Sequence, residues 1–242
     1  MKKLLWLLLL CQAGVAKPLL NFAVPTRSYH KLSWPSGHIW VEQSLWKRES
    51  SLAQAASDRL GSNWEASCRA VPSRARMGLK KMDIFLMDGP ESPLGGQEQG
   101  LEYFRAGAPS YRPEVDPRWS DCIVVYYAKN YLDQSDLWAR KAVQHEMAHA
   151  YHLRKWPEGQ PPELYAAYQN ALKEGLYCQV RDNEGRLHAR AYALTNALEY
   201  FAELSCMLWA CCNYPPCEAK ELKAYDPQGY ATVREMWSAS GK

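Results

Sequence analysis

Apolar residues along this chain fall into two kinds of pattern. Gly37–Leu45 contains His38-Ile39-Trp40-Val41, Met82–Met87 reads Met-Asp-Ile-Phe-Leu-Met, and Cys122–Tyr127 reads Cys-Ile-Val-Val-Tyr-Tyr. Short runs rich in β-branched and aromatic residues predict strands, and the last is the strongest of the three. Helical spacing takes over elsewhere. Leu52, Ala55, Ala56, Leu60 and Trp64 predict a helix over Glu49–Ala70, with Gly61 weakening it. Leu137–Leu153 predicts another, with Ser135 or Asp136 at its N-cap and Pro157, Pro161 and Pro162 beyond its end. Glu163–Cys178 and Thr195–Cys211 predict two more, the latter started by Thr195 or Asn196. Asp182-Asn183-Glu184-Gly185 is a turn signal, and the tail from Asn213 holds a short amphipathic stretch reaching Trp237. Asp88–Trp119 is rich in Gly, Pro and charge without a period, which predicts either a surface loop beside a cleft or a disordered connection. Strands mixed with a helix come first and helices follow. That order predicts an α+β fold, with a small mixed sheet and a C-terminal helical part.

The amino terminus changes the picture. Met1-Lys2-Lys3 precedes an apolar run from Leu4 to Leu10, which leads to Ala13-Gly14-Val15-Ala16. This layout predicts a signal peptide over residues 1–16 and a protein secreted to the extracellular space or periplasm. The run is too short for a stable membrane span, so no stable insertion is expected after its removal. Residues 17–36 read as a Pro-punctuated N-terminal arm, and 37–242 as a single domain. The chain holds 29 Lys and Arg against 26 Asp and Glu; loss of Lys2 and Lys3 leaves it nearly neutral. No basic block points to nucleic acid or to an anionic membrane. Cys11 aside, seven cysteines remain: Cys68, Cys122, Cys178, Cys206, Cys211, Cys212 and Cys217. In an exported protein these predict disulfide bonds, with one thiol left over.

The chemistry centres on His145-Glu146-Met147-Ala148-His149. Histidines four apart on a helix share one face, so both imidazoles reach a single ion, and the intervening Glu146 is placed to act as a general base. Two histidines require a third protein ligand and one open position. His152, Glu163 and Glu174 are candidates. Glu199 is better, because Glu199 and Glu203 lie one turn apart on a helix otherwise made of Leu198, Tyr200, Phe201, Ala202 and Leu204. Carboxylates on a largely apolar helix need partners, and a cation is one. The carboxylate one turn on can accept from a ligand histidine and set its tautomer. Glu199 also fits the first helical turn, where it would complete a cap with Asn196.

The same residues carry a resemblance. HExxH followed by Tyr192-Ala193-Leu194-Thr195-Asn196-Ala197-Leu198-Glu199-Tyr200-Phe201-Ala202-Glu203 resembles the gluzincin metallopeptidases related to the catalytic domain of anthrax toxin lethal factor, a group that includes the Pro-Pro endopeptidases. The likeness spans roughly Val124 to Trp209. It implies a zincin-like domain built around an active-site helix, with one Zn2+ ion held by His145, His149 and Glu199. Glu146 would then be the catalytic base, and Tyr192 the phenol that stabilises the oxyanion or protonates the leaving amine. Glu203 and Asn196 would sit behind the ligands. The implied activity is a secreted zinc endopeptidase acting on protein or peptide substrates. A zinc amidase or deacylase shares the same water-activating residues, and an inactive zinc-binding scaffold is the third reading. Two imidazoles and a carboxylate suit zinc without excluding other first-row ions.

Overall fold

The computed structural model describes residues 26–79, 81–108 and 115–239. Residues 1–16, expected to be a signal peptide, and the beginning of the expected arm lie outside the described residues. The fold is mixed α/β, about 55% helix with a small mixed sheet, and is compatible with the α+β expectation.

Five strands form the sheet: β1 (Tyr29–Trp34), β2 (Gly37–Glu42), β3 (Ile84–Leu86), β4 (Leu101–Phe104) and β5 (Cys122–Val125), in the order β1-β2-β3-β5-β4. β1 and β4 pair antiparallel to their neighbours, and β2, β3 and β5 run parallel. Both faces of the middle strands are covered. Ile39, Val41, Ile84, Leu86, Ile123 and Val125 face the helices, while Phe85, Val124 and Phe104 join a second cluster with Val115 and Trp119. Burial on two faces is why β3 and β5 read as continuous apolar runs rather than alternating ones.

Two sequence expectations change here. Residues 29–34, read as part of an arm, form the edge strand β1. The segment read as a surface loop, Asp88–Trp119, contributes β4, the opposite edge. β4 has only four residues, too few for a period to emerge from its Gly- and charge-rich surroundings.

The first helices are α1 (Gln43–Arg48), α2 (Ser50–Ala70), α3 (Ser73–Leu79) and α4 (Ala128–Asp133). Gly61 lies inside α2 despite its poor propensity, because a Cβ there would stand 2.9 Å from the Trp34 ring of β1. Close strand-to-helix approach outweighs the propensity cost of about 1 kcal/mol. α5 (Asp136–Lys155) starts at Ser135, whose side chain accepts from the Trp138 amide at 3.3 Å. α6 (Pro162–Lys173) stops earlier than the sequence pattern predicts. Beyond it the chain forms a hairpin of β6 (Cys178–Arg181) and β7 (Leu187–Arg190) around the expected 182–185 turn. α7 (Ala197–Trp209), α8 (Ala219–Tyr225) and α9 (Pro227–Ser238) complete the chain. None of the described helices is long and apolar enough to cross a membrane.

The expectation of disulfide bonds is overturned. All seven described cysteines are free, with no pair of sulfurs at bonding distance. They are distributed by packing rather than paired. Cys122 sits inside β5 and Cys206 inside α7, both buried, whereas Cys178 is exposed on the hairpin. Burial pushes the Cys122, Cys206 and Cys212 thiols up, so each behaves as a small protonated apolar side chain.

Candidate metal centre

α5 packs against α7, α2 and β4, and the site forms where the first two of these helices meet the edge strand. The apolar side of α5 drives this docking, with Ala139, Val143, Met147 and Ala150 buried. His145 and His149 lie on the turn of α5 that faces α7. α7 is held at its start by Asn196, whose side chain accepts from the Leu198 and Glu199 amides at 2.8 and 2.9 Å. Asn196, not Thr195, is therefore the cap, and it sets the first turn that presents Glu199.

Three atoms converge. His145 Nε2 lies 3.0 Å from His149 Nε2 and 3.0 Å from Glu199 Oε2, and His149 Nε2 lies 3.2 Å from the same oxygen. Donors around a tetrahedral zinc with bonds of 2.0–2.2 Å stand about 3.3 Å apart, so this triangle has nearly the size one ion requires. An oxygen of Glu146 lies within 4.8 Å of a nitrogen of each histidine. The other sequence candidates are elsewhere. Glu163 and Glu174 are exposed on or beyond α6. His152 is fully buried against Phe201 and Trp156, with ring centroids 4.9 and 5.5 Å away, and neither of its nitrogens has a partner.

Behind the triangle, Glu203 Oε1 accepts from His145 Nδ1 at 2.9 Å. A proton on Nδ1 leaves the Nε2 lone pair directed at the cluster. Glu203 Oε2 accepts from Lys141 Nζ at 2.8 Å and Tyr214 OH at 2.5 Å, and Lys141 also donates to Asn213 Oδ1 at 2.6 Å. His149 Nδ1 has no such partner.

Electrostatics follow from this crowding. Burial alone would raise Glu199, but the hydrogen bonds from His145 and His149 hold it well below the usual carboxylate range. Glu203 is lowered too, with the Lys141 ammonium and His145 outweighing burial. Burial opposes charge on His145, yet its contacts with Cys206, Glu199 and Glu203 raise its pKa well above the ordinary value. Glu146 is raised by burial, although the Tyr103 amide donates to its Oε2 at 2.8 Å. Tyr192 follows β7 in a single 3-10 turn. Its ring centroid is 5.8 Å from that of His145, and its pKa is pushed up to about 12 by burial and then by the Glu199 charge.

The donor set fits a divalent cation. Glu146, Glu199 and Glu203 bring three negative charges into one buried cluster, and Lys141 is the single ammonium bonded within it. Metal ligation requires both imidazoles neutral, and in that state two negative charges are left for an ion to offset. A second group of donors, His145, Glu203 and Cys206, fits less well. The Cys206 thiol lies 3.6 Å from the Lys141 carbonyl as a donor, and Glu203 is already committed to Lys141 and Tyr214.

Reading the sequence left out Lys141, Asn213, Tyr214 and the Tyr103 amide. Lys141 carried one usable signal: it stands four residues before His145, on the helix face that carries both histidines. Nothing local distinguishes the others.

No protein-family model, curated protein or solved structure matches the chain. The class that the site defines is therefore set by its geometry alone: a protein with a buried group of histidine and carboxylate side chains that could hold a metal ion.

Proposed function

We propose that the chain is a zinc-dependent endopeptidase of the gluzincin kind, with a zincin-like catalytic domain. The observation that carries this reading is the triangle of His145 Nε2, His149 Nε2 and Glu199 Oε2, with sides of 3.0 to 3.2 Å and the Glu146 carboxylate beside it. His145, His149 and Glu199 would hold the ion. A divalent cation there supplies Lewis acidity, polarising a carbonyl and bringing the pKa of water towards neutrality.

The protein's own groups do the rest. Glu146 takes a proton from the attacking water and returns it to the departing nitrogen. Its raised pKa improves it as a base, and the Tyr103 amide fixes which oxygen stays free. Tyr192 keeps its proton at neutral pH and donates to the carbonyl oxygen as charge grows there. β4 supplies the sheet edge for an extended peptide. Pairing with β5 turns the backbone groups of Leu101 and the carbonyl of Tyr103 outwards, because alternate residues of an antiparallel strand bond to its neighbour; the Tyr103 amide is already given to Glu146.

Export through residues 1–16 belongs to the same reading. Sequencing the amino terminus of the protein recovered outside the cell tests it, with Lys17 expected as the first residue.

Cleavage of a diverse peptide library by wild type and by Glu146→Gln tests the activity. The expected result is cleavage by wild type that a chelator abolishes, and none by a zinc-loaded variant. A folded, zinc-loaded wild type that cuts no peptide rejects the endopeptidase reading and favours an amide substrate of another kind or a binding protein.

A further inference from the structure

Lys141 is a buried ammonium, only 6% exposed, in a helix that docks through apolar residues. Removing such a charge from water costs several kcal/mol unless its partners are well placed. Its partners are well placed and few. Nζ donates to Glu203 Oε2 at 2.8 Å and to Asn213 Oδ1 at 2.6 Å. The rings of Trp138 and Tyr214 flank it, with centroids 5.3 and 5.1 Å away. Tyr214 OH donates to the same Glu203 oxygen that Lys141 holds. Lys141, Tyr214 and, more weakly, the Cys212 thiol at 3.7 Å therefore occupy Oε2 and leave Oε1 for His145 Nδ1.

The loop that brings these groups is itself anchored. The Asn183 amide, at the turn of the β6–β7 hairpin, donates to the Asn213 carbonyl at 2.7 Å. Asn213 is thus held by backbone from one side and reaches Lys141 with its side chain on the other. A hydrogen-bonded path runs from the hairpin turn through Asn213, Lys141 and Glu203 to His145.

We infer that Lys141, assisted by Tyr214, is a positioning residue for the metal centre: it clamps Glu203 so that the carboxylate holds His145 with Nε2 directed at the ion. The hydrogen bonds of Lys141 Nζ go to Glu203 and Asn213, so its ammonium reaches His145 through Glu203. A packing role alone would be met by an uncharged side chain without the cost of burying the ammonium. The inference rests on the metal reading above and adds to it the group that orients the histidine.

The test is zinc affinity by chelator competition, together with the visible spectrum of the cobalt-loaded full chain. Both read the centre directly, without activity. Lys141→Met is expected to weaken zinc binding about 10- to 100-fold, the usual range for a residue behind the ligands, and to shift the cobalt bands. Tyr214→Phe is expected to weaken it less, about threefold to tenfold, through the same oxygen. In a Glu203→Gln background neither change should add further loss, because the carboxylate they clamp is gone.

A Lys141→Met protein that binds zinc within twofold of wild type with unchanged cobalt bands overturns the inference. So does equal weakening in both backgrounds, which would mark a packing effect. Should Lys141→Met fail to fold, Tyr214→Phe with and without Glu203→Gln decides by the same criteria. A folded wild type that binds neither zinc nor cobalt overturns the metal reading itself, an outcome distinct from both.

Discussion

Glu199 Oε2 lies 3.0 Å from His145 Nε2 and 3.2 Å from His149 Nε2, although 54 residues separate Glu199 from the first histidine. Docking of α7 on α5 closes that gap, and the Asn196 cap aims the turn. Glu199→Ala is expected to lower zinc occupancy at least tenfold while leaving the far-ultraviolet circular dichroism of the folded protein unchanged. Metal analysis after dialysis against a weak chelator checks it. Occupancy equal to wild type would remove Glu199 from the ligand set.

Asn196 serves the fold and the site together. Asn196→Ala removes the acceptor for two amides and is expected to cost about 1 kcal/mol of stability. Urea unfolding of the metal-free protein measures it. The same change should loosen the turn that carries Glu199, so zinc affinity should fall as well. A loss of stability with affinity untouched would confine Asn196 to capping.

Tyr192 is 43% exposed, beside His145 but outside the core, so its loss should leave the fold intact. Tyr192→Phe is expected to lower kcat about 100-fold, as removal of a transition-state donor does, with little change in KM. Steady-state kinetics on the best library peptide separates the two. A rise in KM with kcat unchanged would make Tyr192 a substrate contact.

His152 makes an acid-sensitivity prediction. Burial, and then the neighbouring His149, lower its pKa from 6.5 to about 4. The unfolded chain therefore binds the proton more readily than the folded one. The stability tied to neutral His152 is present above pH 6.5 and is lost as pH falls through 4. By pH 5 the loss is about 2 kcal/mol relative to pH 7. His152→Leu should flatten that part of the profile, and it should not weaken the protein at pH 7, because the wild-type nitrogens have no partners to lose. Urea midpoints at pH 7 and pH 5 for both proteins test this. Parallel profiles would assign the acid loss to other groups.

Legibility in the sequence followed the range of the forces involved. β5 and the long helices α2, α5 and α7 were readable, because their apolar runs and spacings repeat over enough residues to give a period. Ser135 or Asp136, and Thr195 or Asn196, were narrowed to pairs, and cap geometry then selected Ser135 and Asn196. β1 and β4 were missed. Edge strands have one neighbour each, and Tyr29–Trp34 and Leu101–Phe104 owe their conformation to pairing with β2 and β5 more than to their own composition. The expected disulfide bonds failed for a related reason. Cysteine content does not say which side chains meet, and the core uses Cys122, Cys206 and Cys212 as filling.

What the sequence determined by itself was the local part of the site. Helical spacing of four puts His145 and His149 on one face, and again Glu199 and Glu203, wherever those helices go. Only the tertiary structure decided that the two faces meet. It also decided that Glu203 Oε1 reaches His145 while Oε2 is held by Lys141 and Tyr214, and that the amide of an edge strand seats Glu146. Periodicity is a property of neighbours along the chain, set by backbone geometry. Which buried charges compensate one another depends on how whole helices and strands pack, and that is written in no single stretch of residues.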